Sequence, residues 1–213
     1  MTAGNPLTLL ALGGAGWLAW TGGEYLIHRF GMHALRGRGI TSREHLNHHA
    51  DRDSILEKWP LAWTGVILVG LGWGALVAPA FGAGWVVGYG FYDLHHWHAH
   101  KRPPRNRYQR WLRRHHFHHH FGHPSENLGV TWPVWDLVFG TYRRPGTIRL
   151  PRRMAMIWLV DDDGRVKPEF AADYEVVGRP RPAADAAGPG ATADDQAERD
   201  RVDAFANRPP ALV

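Results

Sequence analysis

The sequence of 213 residues contains no cysteine. That removes thiolate metal ligands, iron–sulfur clusters of the usual kind and any disulfide framework, and it leaves the redox compartment open. Charge is missing from two long stretches, because no Asp, Glu, Lys or Arg occurs in residues 1–23 or in residues 59–92. Histidine is absent before position 28 and after position 123, so all 15 histidines fall in less than half of the chain. The mean hydropathy is that of a soluble protein, but it averages over this segregation.

What is present is therefore concentrated. Four groups hold most of the histidines: His28 with His33, His45 with His48 and His49, His96 with His98 and His100, and His116 with His118, His119 and His120. Their spacings read HxxxxH, HxxHH, HxxxH and HxxHH. Positions three and four apart share a helix face, so the last three groups can each converge. His28 and His33 stand five apart, off a common stripe, which predicts a bend or helix end near Gly31. Imidazole suits iron, zinc, copper and nickel, and ten histidines suffice for two ions. Ten imidazoles gathered without metal would form a desolvated cluster that stabilises no fold. For the tract 115–120 alone, a metal-scavenging role stays open.

The uncharged stretches predict membrane spans, which need about 20 apolar residues each. Pro6 to about Ile27 forms one, and residues 59–92 form a tight helical hairpin turning at Pro79. No Lys or Arg precedes the first span, which argues against a cleaved signal peptide. Three spans place all 25 Lys and Arg, and every histidine group, on one side. The positive-inside rule makes that side the cytoplasm. The basic run Lys101 to Arg114 follows a span, so it reads as a head-group anchor and not as a nucleic-acid site. Gly82, Gly84, Gly88 and Gly90 either let helices approach closely or leave room for an acyl chain. From Asp161 histidine is absent, and residues 161–213 carry 12 acidic against 7 basic side chains. We expect two parts, a membrane-embedded domain at 1–160 and a cytoplasmic tail at 161–213, largely disordered after about 178.

The histidine boxes, in this order between apolar segments, resemble the fatty acid hydroxylase/sterol desaturase superfamily of membrane di-iron oxygenases. The stretch Glu24-Tyr25-Leu26-Ile27-His28-Arg29-Phe30, the run Tyr92-Asp93-Leu94-His95-His96 and the segment from Gly129 to Thr141 are most similar to fatty acid 2-hydroxylases. The resemblance covers about residues 20–145. It implies an all-α integral membrane protein, with about three transmembrane helices and a cytoplasmic helical cap holding a histidine-ligated dimetal site. Matched box by box, it implies His28, His33, His45, His48, His49, His96, His100, His116, His119 and His120 as metal ligands. His115, His118 and His119 also spell HxxHH; the later register aligns better through Leu112 to His116 and Phe121. His95 and His98 are expected to point elsewhere.

Carboxylates beside such ligands accept the second ring N–H and fix the tautomer. Asp93, three residues before His96, is the candidate for that part, against a plain helix-end role. Glu24, four residues and one turn before His28, is a candidate for a similar part; Asn127 and Asp136 are weaker ones, and His123 is a further candidate to support the ligands. The resemblance further implies an oxidoreductase, an O2-dependent lipid monooxygenase with two iron ions, acting most simply on a fatty acyl chain. Carotenoid-ring or sterol-like hydroxylation and lipid desaturation use the same kind of centre. Zinc fits histidine-only ligation too, but does no redox chemistry. We expect no fused haem domain and therefore electrons from a separate ferredoxin or cytochrome with its reductase, for which the Lys101–Arg114 face is a docking candidate. High Ala, Gly, Arg and Pro content points to a bacterial inner membrane. From another class, a metal-binding or transport protein asks for ionisable groups lining its spans, and here the charge-free stretches 1–23 and 59–92 leave only Glu24, at the end of the first span.

Overall fold

A computed structural model describes residues 5–51 and 59–178. The disorder expected after about 178 falls outside the described residues. The chain is mostly helical. Helix α1 (Pro6–Leu26) starts where the Asn5 side chain accepts the Leu7 N–H at 3.0 Å, with Pro6 pre-set for the first turn. It runs without interruption into a π-helix (Ile27–Ala34). A turn with Arg36, Gly37 and Gly39 at positive φ leads to α2 (Ile40–Ala50). Ser42 ties that turn down by taking the Gly37 N–H at 2.8 Å and donating to the Met32 carbonyl at 2.6 Å. The hairpin follows: α3 (Trp59–Leu76), then α4 (Pro79–Lys101), with Pro79 opening the second helix. Helix α4 carries on past Tyr92 as one piece, so the third histidine group rides on the same helix as the uncharged segment.

Helices α1 and α4 pack backbone to backbone. A Cβ on Gly84 would strike the Gly13 carbonyl and one on Gly16 the Phe81 carbonyl, while one on Gly82 would strike the Gly70 carbonyl of α3. The glycines of α4 are therefore contact positions and not space for a chain. Trp20 wedges between Trp85 and Tyr89, edge to face with both. Gly84→Val is expected to force the helices apart and destabilise the protein by about 1–3 kcal/mol or more. Gly14→Ala, whose Cβ meets nothing within 4 Å, is expected to be neutral or slightly stabilising. Thermal unfolding of the two variants in detergent checks the contrast.

Helix α5 (Arg107–Phe121) and the short α6 (Val134–Val138) complete the helices. The all-α expectation needs one correction, because β1 (Ile148–Pro151) pairs in parallel with β2 (Tyr174–Val177), Ile148 opposite Tyr174. Four-residue strands are too short to leave a readable alternation. Phe117 of α5 lies in one core with Ile148, Leu150, Met156, Trp158, Phe170 and Tyr174, and its ring meets those of Trp158 and Tyr174. Residues 161–178 thus share a core with 148–160, and the composition change at 161 marks no break in packing.

The basic run is partly consumed inside the fold. Arg113 is buried and donates to the carbonyls of His98, Arg102 and Gln109, capping the end of α4. Arg110 and Arg114 pair with Asp173. Three arginines of the expected docking face are thereby structural.

Among the described residues no helix is long and apolar enough to cross a membrane.

Candidate metal centre

Ten buried histidines form two sets of five, and within each set the nearest ring nitrogens all lie within 4.8 Å of one another. The first comprises His28, His33, His45, His49 and His119; the second comprises His48, His96, His100, His116 and His120. These are the ten residues that the box pattern singles out. Each HxxHH group is divided between the sets, rather than converging as one. On α2, His45 and His49 lie one turn apart and face the first set, while His48 faces the second. On α5, His116 and His120 face the second set and His119 the first. The rings of His49 and His120 stack at 4.1 Å, which places the sets side by side.

The HxxxxH spacing is resolved without the expected bend at Gly31. In an α-helix residues five apart diverge by about 140°. The π-helix closes i→i+5 and stacks them, so His28 and His33 enter one site.

The first set fits a cation on the geometry of its own protons. His28 Nδ1 lies 2.5 Å from the Leu128 carbonyl and His119 Nδ1 lies 3.0 Å from the Glu126 carbonyl. A carbonyl only accepts, so both Nδ1 atoms carry the proton and both Nε2 atoms present lone pairs. His45 Nε2 lies 3.1, 2.8 and 3.0 Å from Nε2 of His28, His33 and His49. His119 Nε2 lies 3.0 and 3.1 Å from Nε2 of His33 and His49. If His45 donates to His28, His33 and His49 must accept, and they then meet the His119 lone pair with lone pairs of their own. If His33 and His49 donate, His45 meets His28 lone pair to lone pair. No assignment of one proton per neutral ring satisfies all five contacts. Two ligands at right angles on a metal about 2.0–2.1 Å away lie about 2.9 Å apart, the spacing seen here.

In the second set, His48 and His96 approach to 2.9 Å, as do His100 and His116. Both ring nitrogens of His120 are buried without a hydrogen-bond partner. Burial draws the imidazoles towards the neutral form that a metal requires: His28 falls to about 4 and His48 to about 3. The other eight shift down for the same reason, reinforced in each by neighbouring imidazoles.

The remaining histidines sit apart. His115 Nε2 lies 3.1 Å from Asp136, His118 Nε2 lies 2.8 Å from Glu126, and His123 pairs with Ser125. His95 Nδ1 lies 2.8 Å from the Phe91 carbonyl. Asp93 accepts from Trp63 Nε1 at 3.3 Å. Glu24 meets the backbone at 130–131 instead of His28. The partners that orient ligand rings include carbonyls of the loop after α5, which no side-chain motif reveals.

A cavity of about 410 Å3 reaches both sets, ending on His45, His48 and His96. Its walls are mainly apolar, with Trp20, Leu61, Val66, Val69, Trp85 and Tyr89 among them.

The fatty acid hydroxylase family model matches residues 14–141, a stretch that contains all ten of these histidines. The chain belongs to the fatty acid hydroxylase family. A dihydroceramide fatty acyl 2-hydroxylase of Arabidopsis thaliana is 32% identical over 138 residues, 59% of this chain and 58% of that protein. A ceramide very long chain fatty acid hydroxylase of Saccharomyces cerevisiae is 30% identical over 162 residues, 66% of this chain and 40% of that protein. A solved structure of full-length scs7p, in which only the hydroxylase domain is visible, matches with a TM-score of 0.55 at 27% identity. That match covers 66% of this chain and 58% of the other. The chain spans less than two thirds of the length of either curated relative.

Proposed function

We propose that this chain is a lipid hydroxylase that places one oxygen atom of O2 on a C–H carbon of a fatty acyl chain. The second oxygen atom leaves as water, with two electrons from a separate donor and two protons. The observation that carries this reading is the apolar cavity ending on ligand candidates from both histidine sets. Two iron ions held by the ten imidazoles supply the O2 activation that such a reaction needs. The chain's own part is to sort the ligands into two sets, fix ring tautomers and hold a methylene against the histidine end of a largely apolar cavity. Histidine-only donors distinguish this set from the carboxylate-bridged centres of soluble bundles.

The same reading places α1, α3 and the first part of α4 in a bacterial inner membrane, with the histidines on the cytoplasmic side. It is supported by the two charge-free stretches and by apolar side chains turned outward along these helices, including Leu10 at 72% and Leu71 at 66% exposure. With lipid around them these side chains lose their contact with water, and a chain can enter the cavity from the bilayer.

Lipid mass spectrometry of cells expressing the protein tests the activity against His48→Ala, His49→Ala double-variant cells. A gain of one oxygen on acyl species, seen only with intact histidines and bound iron, is the expected result. Oxygen gained on a carotenoid or sterol ring, or loss of two hydrogens from an acyl chain, overturns the acyl hydroxylase reading. Bound zinc with no oxidised lipid overturns oxygenase function itself.

A further inference from the structure

Two buried carboxylates outside the histidine sets act on one loop. Asp136 Oδ1 accepts the Leu128 N–H at 2.8 Å and the Thr141 hydroxyl at 2.7 Å. Its Oδ2 accepts the Gly129 N–H at 2.9 Å and lies 3.1 Å from His115 Nε2. Glu24 Oε1 accepts the N–H groups of Val130 and Thr131, at 2.8 and 3.4 Å, and Oε2 accepts the Thr131 hydroxyl at 3.0 Å. Four consecutive backbone N–H groups, 128 to 131, therefore end on two side chains. Just before them Asn127 is buried at φ +54°, and it pairs through its side-chain amide with both backbone groups of Arg143, at 2.7 and 3.0 Å.

Two carbonyls of this clamped segment reach ligand rings, while that of Thr131 accepts from the Tyr108 hydroxyl at 3.0 Å. Glu126 O holds His119 Nδ1 and Leu128 O holds His28 Nδ1, and both rings belong to the first histidine set. The Nδ1 atoms of His33 and His49 in the first set, and of His48, His116 and His120 in the second, have no hydrogen-bond partner, so the loop carbonyls reach only the His28 and His119 rings of the first set.

We propose that Asp136 and Glu24 are positioning residues for the first metal site alone, acting through the loop 126–131 whose carbonyls fix the tautomers of His28 and His119. The inference rests on the two-metal reading above, but not on what the metals oxidise. Releasing the loop frees both rings to turn or to carry the proton on Nε2, which removes two of five donors. Loss of an outer partner of this kind costs about 10–100-fold in metal affinity.

The two carboxylates differ in a way that supplies a control. Both oxygens of Asp136 face backbone N–H groups, so an amide at this position must set an NH2 against a donor. At Glu24 only Oε1 faces backbone N–H groups, and Oε2 faces a hydroxyl that can turn round and accept. Glu24→Gln therefore retains the clamp and is the conservative rescue of Glu24→Leu.

The experiment counts iron per full-length chain in detergent micelles by plasma mass spectrometry, with size-exclusion profiles and thermal midpoints reporting the fold. Asp136→Asn and Glu24→Leu are expected to fall from two ions per chain to one, and Glu24→Gln to keep two. Adding His28→Ala to either depleted variant is expected to remove nothing further, and adding His116→Ala to remove the remaining ion. Should Asp136→Asn fail to fold, the Glu24 pair carries the same test. Folded Asp136→Asn and Glu24→Leu variants that keep both ions, or that lose ions from the two sites alike, overturn the proposal. Hydroxylation assays do not enter the outcome, so a chain that oxidises a different lipid leaves it standing.

Discussion

His48→Ala and His49→Ala, one residue apart on the same helix, are expected to empty different metal sites. His49 meets His45 at 3.0 Å and His119 at 3.1 Å, whereas His48 meets His96 at 2.9 Å. An α-helix turns about 100° per residue, so neighbouring side chains on α2 diverge into neighbouring sites. Each single variant should therefore hold one ion where the parent holds two, with affinity at the damaged site down more than the about 100-fold that losing a mere outer partner costs. Pairs of substitutions separate this from general damage. His48→Ala with His116→Ala removes two donors from one site and should still hold one ion. His48→Ala with His119→Ala strikes both sites and should hold none. Non-additivity within a site and additivity between sites is the signature to look for. Loss of both ions in every single variant would mean one cooperative site and would end the two-set reading. Oxidised lipid should fall to background in all of them, because each set lines the end of the cavity.

How much of this could be read from the chain depends on where each contact originates. The gathering of ten histidines is written in side-chain spacing that repeats along helices, so His45, His49, His116 and His120 announce themselves by i, i+4 periodicity. Their partition into two sets is not written there. It depends on the crossing of α2 and α5 between the other elements, which only the tertiary structure fixes. The HxxxxH spacing misleads for a different reason. An α-helical rule applied to His28 and His33 demands a bend, yet the chain changes helix type instead, and no residue between Ile27 and Ala34 signals that change. The loop contacts to His28 and His119 come from backbone carbonyls, which every residue carries and no motif marks. Asp136 is visible as a weak candidate in the sequence, but its partners are the N–H groups of Leu128 and Gly129 and the ring of His115, all made by folding. The glycines of α4 could be read two ways from sequence, and the backbone of α1 decides between them by lying within contact of Gly84.

Acidification is expected to release the metal ions and unfold the protein in one pH window. Free imidazole titrates near 6.5. Buried His28 titrates near 4 and buried His48 near 3. Above about pH 6.5 these groups are neutral whether the chain is folded or unfolded, so stability does not change with pH on their account. As pH falls below 6.5, the unfolded chain takes up protons that the folded chain refuses, and stability drops by about 1.4 kcal/mol per pH unit for each such group. The loss continues until the folded groups themselves protonate, near 4 for His28 and near 3 for His48. The other buried imidazoles shift the same way and steepen the fall. A bound metal adds to the slope, since every proton taken by a ligand is taken in competition with the ion. The thermal midpoint and the iron content of the purified chain, followed together from pH 7.5 to 4.5, should hold steady to about 6.5 and then decline in step. A midpoint independent of pH down to 5 would show that these rings are hydrated and titrate normally, which is incompatible with ten neutral donors buried against one another.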